Sequence, residues 1–310
     1  MTLVTAAEFI ALERVCANDA GNAKARTRLL QGFFALGQPD ALPGSSQSLP
    51  KANRSWRIAV LTPYYKESLD LLERCHRSVA AQTVRCDHIV VADGHPREEL
   101  DTWPLRHLKL PAASADSGDT PRRIAGELAD ASGYDAVLYL DADNWYRPRH
   151  AESLLACHLA TGAPLCHSGR TLHRAGGSLL PLIQAGDNVD HVDTSCLFIA
   201  RSAFDLLPLW GTWPRELSPL DDRMLWRTAR ARGHEHRFTG ALTACYEATH
   251  AGIYRAIGET PPADMRPDTD LSRIVAWHAR LPAQERVELD RRYGFSVSAF
   301  VIELDAASRR

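Results

Sequence analysis

The chain has 310 residues, a formal net charge of −2, 45% hydrophobic residues and 24% charged residues. This length suits one large α/β domain with extensions or two modest domains, and the composition is that of a folded soluble protein. A net charge so close to zero excludes a global basic field of the kind that holds nucleic acid, so we expect no nucleic-acid partner.

The seven cysteines are irregularly spaced and form no C-x-x-C pair. This pattern argues against a zinc cage or a disulfide framework and favours a reducing compartment. No apolar stretch approaches the roughly 20 residues that a membrane span needs. The N-terminus carries Glu8 and Glu13 and lacks the basic-then-apolar pattern of a secretion signal. We therefore expect a cytoplasmic protein without a transmembrane segment.

Residues 1–50 are predicted to form a helical arm followed by a linker. Apolar stripes with helical spacing run through residues 9–15 and 29–36, and residues 37–55 are rich in Gly, Pro, Ser and Gln. The arm could pack on the main domain or on a partner, and a homo-oligomer is one such arrangement.

A pattern of alternating strands and helices begins at Arg57 and predicts a domain over residues 51–255. Amphipathic segments predict helices that begin near Ser68, near residue 120 and near Asp221. Short apolar runs that suit strands buried on both faces of a sheet occur at residues 58–61, 88–92, 136–140 and 195–200. This order argues for an α/β fold with a mostly parallel sheet, flanked by helices through right-handed crossovers.

Residues 256–310 are predicted to form a helical C-terminal extension. The dipeptide Pro261-Pro262 precedes two amphipathic segments. Pro282 stands where a helix can start and Gly294 where it can end, so we expect the last helix between them.

The candidate binding residues lie at the ends of the predicted strands, because ligands of open α/β sheets bind at the carboxyl ends of the strands. Those ends read Thr62-Pro63-Tyr64, Asp93-Gly94 and Asp141-Ala142-Asp143. No glycine-rich phosphate loop follows these strands. A cleft this acidic can hold a diphosphate only when a divalent cation lies between them, and aspartate oxygens suit Mg²⁺ or Mn²⁺.

The D-x-D triplet occurs twice, and its context separates the two copies. Asp268-Thr269-Asp270 lies in the polar tail and is predicted to cap a helix. Asp141-Ala142-Asp143 directly follows a buried-strand pattern. Residues two apart in an extended segment project to the same side, so both carboxylates could face one ion.

Six segments share their pattern and order with one known family. They are Arg57–Tyr65, Ser78–Thr83, Ile89–Gly94, Pro121-Arg122-Arg123, Leu138–Asp143 and Leu220-Asp221-Asp222-Arg223. In this order they resemble glycosyltransferase family 2, whose catalytic domain has the Rossmann-like GT-A fold. The resemblance covers residues 57–255, roughly two-thirds of the chain.

This resemblance implies an inverting, metal-dependent transfer of a hexosyl-type sugar from a nucleoside-diphosphate sugar, usually UDP-linked, to an acceptor hydroxyl. It implies Asp141, Asp143 and His250 as ligands of Mn²⁺ or Mg²⁺, and Trp213 and Glu216 as acceptor contacts. The nucleotide-binding residues that it implies are Pro63, Tyr64, Tyr65, Glu67, Asp93, Arg122, Arg123, Asp141 and Ala142.

The catalytic base implied by the resemblance is Asp221 or Asp222. Aligning the helix on Arg227 favours Asp221, whereas matching Asp222-Arg223 to an acidic-Asp-Arg pattern favours Asp222. We favour Asp222 slightly. The nucleotide region departs from the family in one place: the usual Asn after the first-strand tyrosine is absent, and Tyr65-Lys66-Glu67 stands there.

Two other functions fit an acidic doubly wound sheet. A nucleotidyltransferase acting on a sugar phosphate would normally carry a glycine-rich basic loop after the first strand, and this chain has Thr62–Glu67 there. A non-catalytic nucleotide-sugar-binding module would have no need of Asp141, Asp143 and the Asp221-Asp222 pair. The acceptor stays open between a glycan, a small molecule and a lipid-linked molecule, and the last would be reached by peripheral association with the inner face of the membrane.

Overall fold

The computed structural model describes residues 55–184 and 191–308, so the arm predicted for residues 1–50 lies outside the described residues. The strands are β1 (Ile58–Tyr64), β2 (Cys86–Ala92), β3 (Arg106–Lys109), β4 (Ala136–Tyr139), β5 (Trp145–Tyr146), β6 (Leu165–His173), β7 (Leu179–Gln184), β8 (Leu197–Ala200) and β9 (His236–Glu247). The α-helices are α1 (Leu69–Ala80), α2 (Asp119–Ala131), α3 (His150–Thr161), α4 (Asp221–Ala231), α5 (Ala251–Ala256), α6 (Leu271–Arg280), α7 (Ala283–Tyr293) and α8 (Val297–Ser308).

In the described part of the chain, these strands form one nine-stranded sheet with the order β3-β2-β1-β4-β8-β6-β9-β5, and β7 pairs with β6. Strands β1 to β4 are parallel, and so is the β6–β9 pair. Strand β8 is antiparallel to both β4 and β6. The sheet is thus mostly parallel. Strand β8 runs in the opposite direction between its two parallel parts, and β5 and β7 run antiparallel to β9 and β6.

The central strand β1 is buried on both faces because its side chains alternate between two apolar clusters. Ile58 and Val60 pack in a cluster that includes residues of α1 and α3, whereas Ala59 and Leu61 pack in one that includes residues of α2 and α4. The layered α/β architecture expected from the sequence is confirmed. Helix α1 begins as predicted, since Ser68 is its N-cap and its hydroxyl accepts the N–H of Leu71.

The reversed direction of β8 decides which chain segment reaches the edge where β1, β2 and β4 end. Leu138 near the end of β4 lies opposite Phe198 near the start of β8. The 3₁₀ turn Thr194–Cys196 that leads into β8, and Asp193 before it, are therefore carried to the carboxyl edge of the parallel strands. The sequence predicted this strand over 195–200 but not its direction.

The C-terminal extension is helical, as predicted, and contains a third helix. Helix α7 has Pro282 at its N-cap and Gly294 in the left-handed region at its C-cap. Helix α8 follows directly, and Val297, Phe300 and Val301 on it are buried in the cluster that also holds α2 and α4. None of the helices in the described ranges is both long and apolar enough to cross a bilayer.

Candidate active site

A cleft of about 580 Å³ opens at the carboxyl ends of β1, β2 and β4. The predicted strand-end residues that line it are Pro63, Tyr64, Asp93, Asp141, Ala142 and Asp143. The other predicted residues in its lining are Tyr65, Glu67, Arg122, Asp221, Asp222 and His250. Residues that lie far apart in the sequence are thus brought together. This is expected for a ligand site at the point where the strand order reverses, which is between β1 and β4.

Arg122 links two carboxylates of the cleft. Its Nη2 donates to Asp141 Oδ1 at 2.7 Å, and its Nη1 donates to Asp221 Oδ2 at 2.9 Å. Although burial disfavours the charge, Asp141, Asp221 and Asp119 raise the pKa of Arg122, so the guanidinium stays charged. Arg122 therefore fixes two acidic side chains, and its contact with a nucleotide stays a prediction.

Asp143 lies beside Asp141 but lacks such a partner. Its carboxylate makes no hydrogen bond or ion pair with any described residue. Burial raises the pKa of Asp143 to about 7; the neighbouring charge of Asp141 adds to this rise, and the charge of Arg266 opposes it. A carboxylate held in this way is stabilised as an anion by any cation that enters the cleft.

Asn144 fixes the backbone that carries the two aspartates. It is fully buried, its Nδ2 donates to Ser195 Oγ at 3.1 Å, and its Oδ1 accepts the N–H of Glu247 at 2.9 Å. From α1, Arg74 donates to the carbonyl of Asp143 at 2.6 Å and forms an ion pair with Glu247. The loop that carries Asp141 and Asp143 is thus held by contacts with α1, with the turn before β8 and with the end of β9.

The donor set suits a divalent cation only if substrate oxygens complete it. Among the residues that the structure describes, no three His, Cys, Asp or Glu side chains converge as a metal-binding group. Asp141 and Asp143 alone offer two carboxylates, and Mg²⁺ is commonly bound by one or two carboxylates together with phosphate oxygens and water. Because the carboxylate of Asp143 also makes no hydrogen bond or ion pair with a described residue, these residues fit such an ion.

The two aspartates that open α4 have different environments. Asp221 is bound to Arg122, and its Oδ1 accepts the N–H of Asp222 at 2.6 Å. Burial raises the pKa of Asp221 well above its ordinary value, against the opposing charge of Arg122. Burial acts on Asp222 as well, but His191 and Arg223 bring the pKa of Asp222 below its ordinary value. Asp222 is therefore the one of the pair whose anionic form is favoured.

Asp193 is a further acidic residue of the cleft, and sequence reasoning missed it. It forms a buried ion pair with Arg170 on β6, whose guanidinium lies 4.4 Å from the ring centre of Tyr246. Tyr246 lines the cleft as well. No local pattern marks Asp193, because it reaches the cleft only through the reversed direction of β8.

The region around Asp93 forms the end of the cleft predicted to bind the nucleotide. Asp93 is 4% exposed, and its carboxylate accepts hydrogen bonds from the backbone N–H and the hydroxyl of Ser114. Gly94 has φ +75°, and a Cβ there would lie 2.3 Å from the backbone nitrogen of Ala113, so this turn needs glycine. The Ser114 loop is thereby held against β2.

The chain directly after β1 presents an exposed aromatic ring, that of Tyr65, at the cleft. Tyr65 is 41% exposed, and its ring meets His95 edge-on at 4.6 Å. Glu67 accepts the N–H groups of Tyr65 and Lys66, so it orders this turn. Tyr64 is buried, and its hydroxyl is a hydrogen-bond partner of His107.

A basic side chain enters the lining from the segment after α5, which was predicted to belong to the C-terminal extension. Arg266 is exposed and lines the cleft, and its charge acts on Asp143, whose pKa it lowers against the effect of burial. Its backbone pairs with the chain at Thr249 and Ala251, beside His250.

His250 lines the cleft, but it does not complete a three-residue metal cluster with Asp141 and Asp143. Its metal role stays a prediction.

Three predicted residues are not part of the lining: Arg123, Trp213 and Glu216. Trp213 is 5% exposed, and its indole N–H donates to Asp119 at 2.7 Å, so it is a core residue rather than an acceptor contact. Glu216 is exposed in the 3₁₀ segment Arg215–Leu220, and Arg123 is half-buried on α2. The loop before α4 reaches the cleft instead through Ser218 and Pro219.

No family model matches the chain, and no curated protein matches it. Among solved structures, the chain is similar to S. aureus TarS 1–349, with a TM-score of 0.50 and 14% identity over 64% of this chain and 62% of that chain. It is similar in the same way to TarS 1–349 in complex with UDP-GlcNAc, with a TM-score of 0.50 and 14% identity over 62% and 58% of the two chains. The match spans less than two thirds of either solved chain. At this level of identity the likeness shows that the chain shares the α/β fold of a glycosyltransferase structure.

Proposed function

We propose that the chain is a nucleotide-sugar-dependent glycosyltransferase that inverts the configuration of the sugar it transfers. The observation that carries this proposal is the arrangement of three aspartates in one cleft. Asp143 is unpartnered beside Asp141, and Asp222 lies across the same cleft with a lowered pKa. The first pair suits the diphosphate of a donor, and Asp222 suits a base for an acceptor hydroxyl.

The donor would bind over the ends of β1 and β2. Its base would lie near Asp93 and the exposed ring of Tyr65, and its diphosphate near Asp143 and Arg266. Asp141 and Asp143 would hold Mn²⁺ or Mg²⁺, which when bound neutralises the charge on the diphosphate leaving group. The UDP-GlcNAc bound by the TarS structure makes UDP-sugars the first donors to test.

Asp222 would activate the acceptor. Its carboxylate takes the proton of an acceptor hydroxyl, and the oxygen then forms a bond to the anomeric carbon from the face opposite the diphosphate. The bond between the anomeric carbon and the phosphate oxygen breaks, and a nucleoside diphosphate leaves. A positioned base of this kind contributes about 10²–10⁴-fold to the rate.

The experiment measures nucleoside diphosphate release from a panel of donors with and without Mn²⁺, together with calorimetric binding of the nucleoside diphosphates. Asp143→Ala should weaken Mn²⁺-dependent nucleotide binding, and Asp222→Asn should lower turnover by about 10²–10⁴-fold while leaving that binding intact. Asp70→Asn is the matched control, because Asp70 is exposed on α1 and is not part of the lining.

Each part of the proposal has its own contradicting result. Nucleotide binding by Asp143→Ala with unchanged Mn²⁺ dependence would contradict the metal assignment. Stabilisation by nucleotides without turnover of any donor by the wild-type protein would make the chain a binding module. Transfer of a nucleotidyl group from a nucleoside triphosphate would instead make it a nucleotidyltransferase.

A further inference from the structure

The side chain of His191 pairs with Asp222 in a contact that the sequence does not reveal. His191 Nε2 donates a hydrogen bond to Asp222 Oδ2. The two side chains are 25% and 20% exposed. His191 belongs to the segment that leads into β8, and Asp222 to the first turn of α4, so the contact joins two separate elements.

His191 approaches Asp222 from outside the cleft. Asp222 is part of the lining, whereas His191 is not. The second oxygen of Asp222, Oδ1, accepts the backbone N–H of Arg223 at 2.6 Å. Each oxygen thus has one internal donor, and each keeps a lone pair for a further partner. The carboxylate is held in a fixed direction and can still accept a proton from the cleft.

Asp221 provides a contrast within the same turn of helix. Its partner is Arg122, which also binds Asp141. An arginine remains charged throughout the physiological pH range, whereas an imidazole changes its charge near neutral pH. Asp221 thus shares its arginine with Asp141, whereas His191 gives Asp222 a hydrogen-bond donor of its own.

We propose that His191 is the positioning residue of the base: it holds the Asp222 carboxylate in the direction of the acceptor and favours its anionic form until the proton is taken up. This inference rests on the proposed glycosyl transfer and adds to it a residue that acts on the base without touching the substrate. In catalysis, the acceptor proton goes to Asp222, and His191 keeps its hydrogen bond to that carboxyl group.

The pH dependence of this arrangement depends on all charges that face Asp222. Besides His191, they are Asp221 and Arg223 on α4, Arg170 on β6 and Asp193 before β8. Two of these four are acidic and two are basic, so their effects on Asp222 oppose one another. Loss of the His191 donor should therefore raise the pKa of Asp222, and the acid limb of the rate profile should move to higher pH.

The test replaces His191 by phenylalanine and by glutamine in the full chain. His191→Phe keeps a planar ring but removes the donor, so kcat should fall by about 10–100-fold. The KM for the donor should stay within about twofold, and the acid limb should rise by about one pH unit. His191→Gln places an amide N–H near the position of Nε2 and should recover most of the lost kcat.

His234→Phe is the matched control. His234 Nε2 lies 3.1 Å from Asp205 Oδ1, so it forms a similar histidine–aspartate pair, but neither residue lines the cleft. This variant should keep the wild-type kcat and the wild-type pH profile. An equal loss in His234→Phe and His191→Phe would show a general structural effect and would overturn the inference.

The remaining outcomes separate this inference from the proposed function. If the wild-type protein releases no nucleoside diphosphate from any donor, the proposed function fails and the inference fails with it. If the wild-type protein turns over and His191→Phe keeps its kcat and acid limb, the inference alone is overturned. If circular dichroism shows that His191→Phe does not fold, His191→Asn replaces it, because its shorter amide cannot reach Asp222 Oδ2. Full activity of His191→Asn would then overturn the inference.

Discussion

Two buried arginines flank the cleft, and their surroundings carry different amounts of negative charge. Arg170 is 9% exposed and forms an ion pair with Asp193, which we term the Arg170 pair. Arg122 is 6% exposed and is the cation of a larger group, which we term the Arg122 centre. The carboxylates of the Arg122 centre are Asp119, Asp141 and Asp221.

The difference in charge distinguishes a structural ion pair from a place that can receive a cation. One guanidinium cannot neutralise three carboxylates, and the unpartnered Asp143 lies next to Asp141 of this group. The Arg122 centre therefore gathers more carboxyl groups around one guanidinium than the Arg170 pair does, and burial raises the pKa values of Asp119 and Asp221 among them. The following four predictions test this comparison.

The largest effect is expected at Arg122. Arg122→Met leaves three carboxylates without their cation, and removing one partner of a buried ion pair costs about 3–5 kcal/mol of unfolding free energy. Adding Asp221→Asn should recover only part of this loss, because Asp119 and Asp141 stay unpaired. Urea unfolding of the single and double variants measures both values, and complete recovery in the double variant would show that Arg122 serves Asp221 alone.

A somewhat smaller loss is expected at Arg170. Arg170→Met should lower the unfolding free energy by about 3 kcal/mol, because one buried carboxylate loses its partner. Replacing both members, as Arg170→Met with Asp193→Leu, should be close to neutral, since a buried pair can often be exchanged for apolar side chains of similar volume. If the double variant is as unstable as the single one, the loss at Arg170 does not come from Asp193 and the comparison fails.

Asp119 tests the Arg122 centre through pH. Burial raises the pKa of Asp119 from 3.8 to about 6, although Arg122 and Trp213 oppose the rise. The folded state thus binds this proton more tightly than the unfolded state, and the stability it contributes is present below pH 4 and lost as the pH rises through 6. Relative to the wild type, Asp119→Asn should therefore gain on the order of 2 kcal/mol between pH 4 and 7.

Urea unfolding of both proteins across this pH range measures the gain, and Asp205→Asn is the control of opposite sign. Although burial raises the pKa of Asp205, Arg232 and His234 bring it below its ordinary value. Asp205→Asn should therefore lose stability relative to the wild type as the pH rises. A flat difference for Asp119→Asn would show that Arg122 neutralises Asp119 after all.

The smallest effect on stability is expected at Asp143. Asp143→Asn keeps the shape of the side chain and removes a carboxyl group whose pKa burial raises in the folded state, so at pH 5 the unfolding free energy should rise by roughly 1.5 kcal/mol. Mn²⁺-dependent nucleotide binding should be lost at the same time. A clear loss of stability without any cation present would show that Asp143 has a structural partner.

The parallel part of the sheet could be predicted from the sequence because its signals are local. The runs that became β1, β2 and β4 are continuous and apolar, and each is followed by a polar turn. The sequence alone therefore suffices to place the strand-end residues Asp93, Asp141 and Asp143 at one edge of the sheet.

Helix α8 has a local signal as well, since Val297, Phe300, Val301 and Leu304 recur at helical spacing, yet this helix was not predicted.

The rest of the cleft depends on contacts that no local pattern encodes. Strand β6 pairs with β7, β8 and β9, and these pairings decide that Arg170 meets Asp193 and that Tyr246 lies beside them. His191 reaches Asp222 across 31 residues. Asn144 directly follows the predicted acidic triplet, yet its burial results from Ser195 and Glu247, which are distant in the sequence.

The reversal of β8 has a consequence for how this cleft could be re-engineered. Parallel strands supply the cleft with residues from the chain that leaves them, whereas β8 supplies Asp193 and Thr194 from the chain that enters it. The loops after β1, β2 and β4 and the segment before β8 are therefore separate parts of the chain, and each is fixed by its own strand. A library that varies Thr194 can therefore alter the cleft while Asp193 keeps its ion pair with Arg170 and the loops after β1, β2 and β4 keep their wild-type sequence.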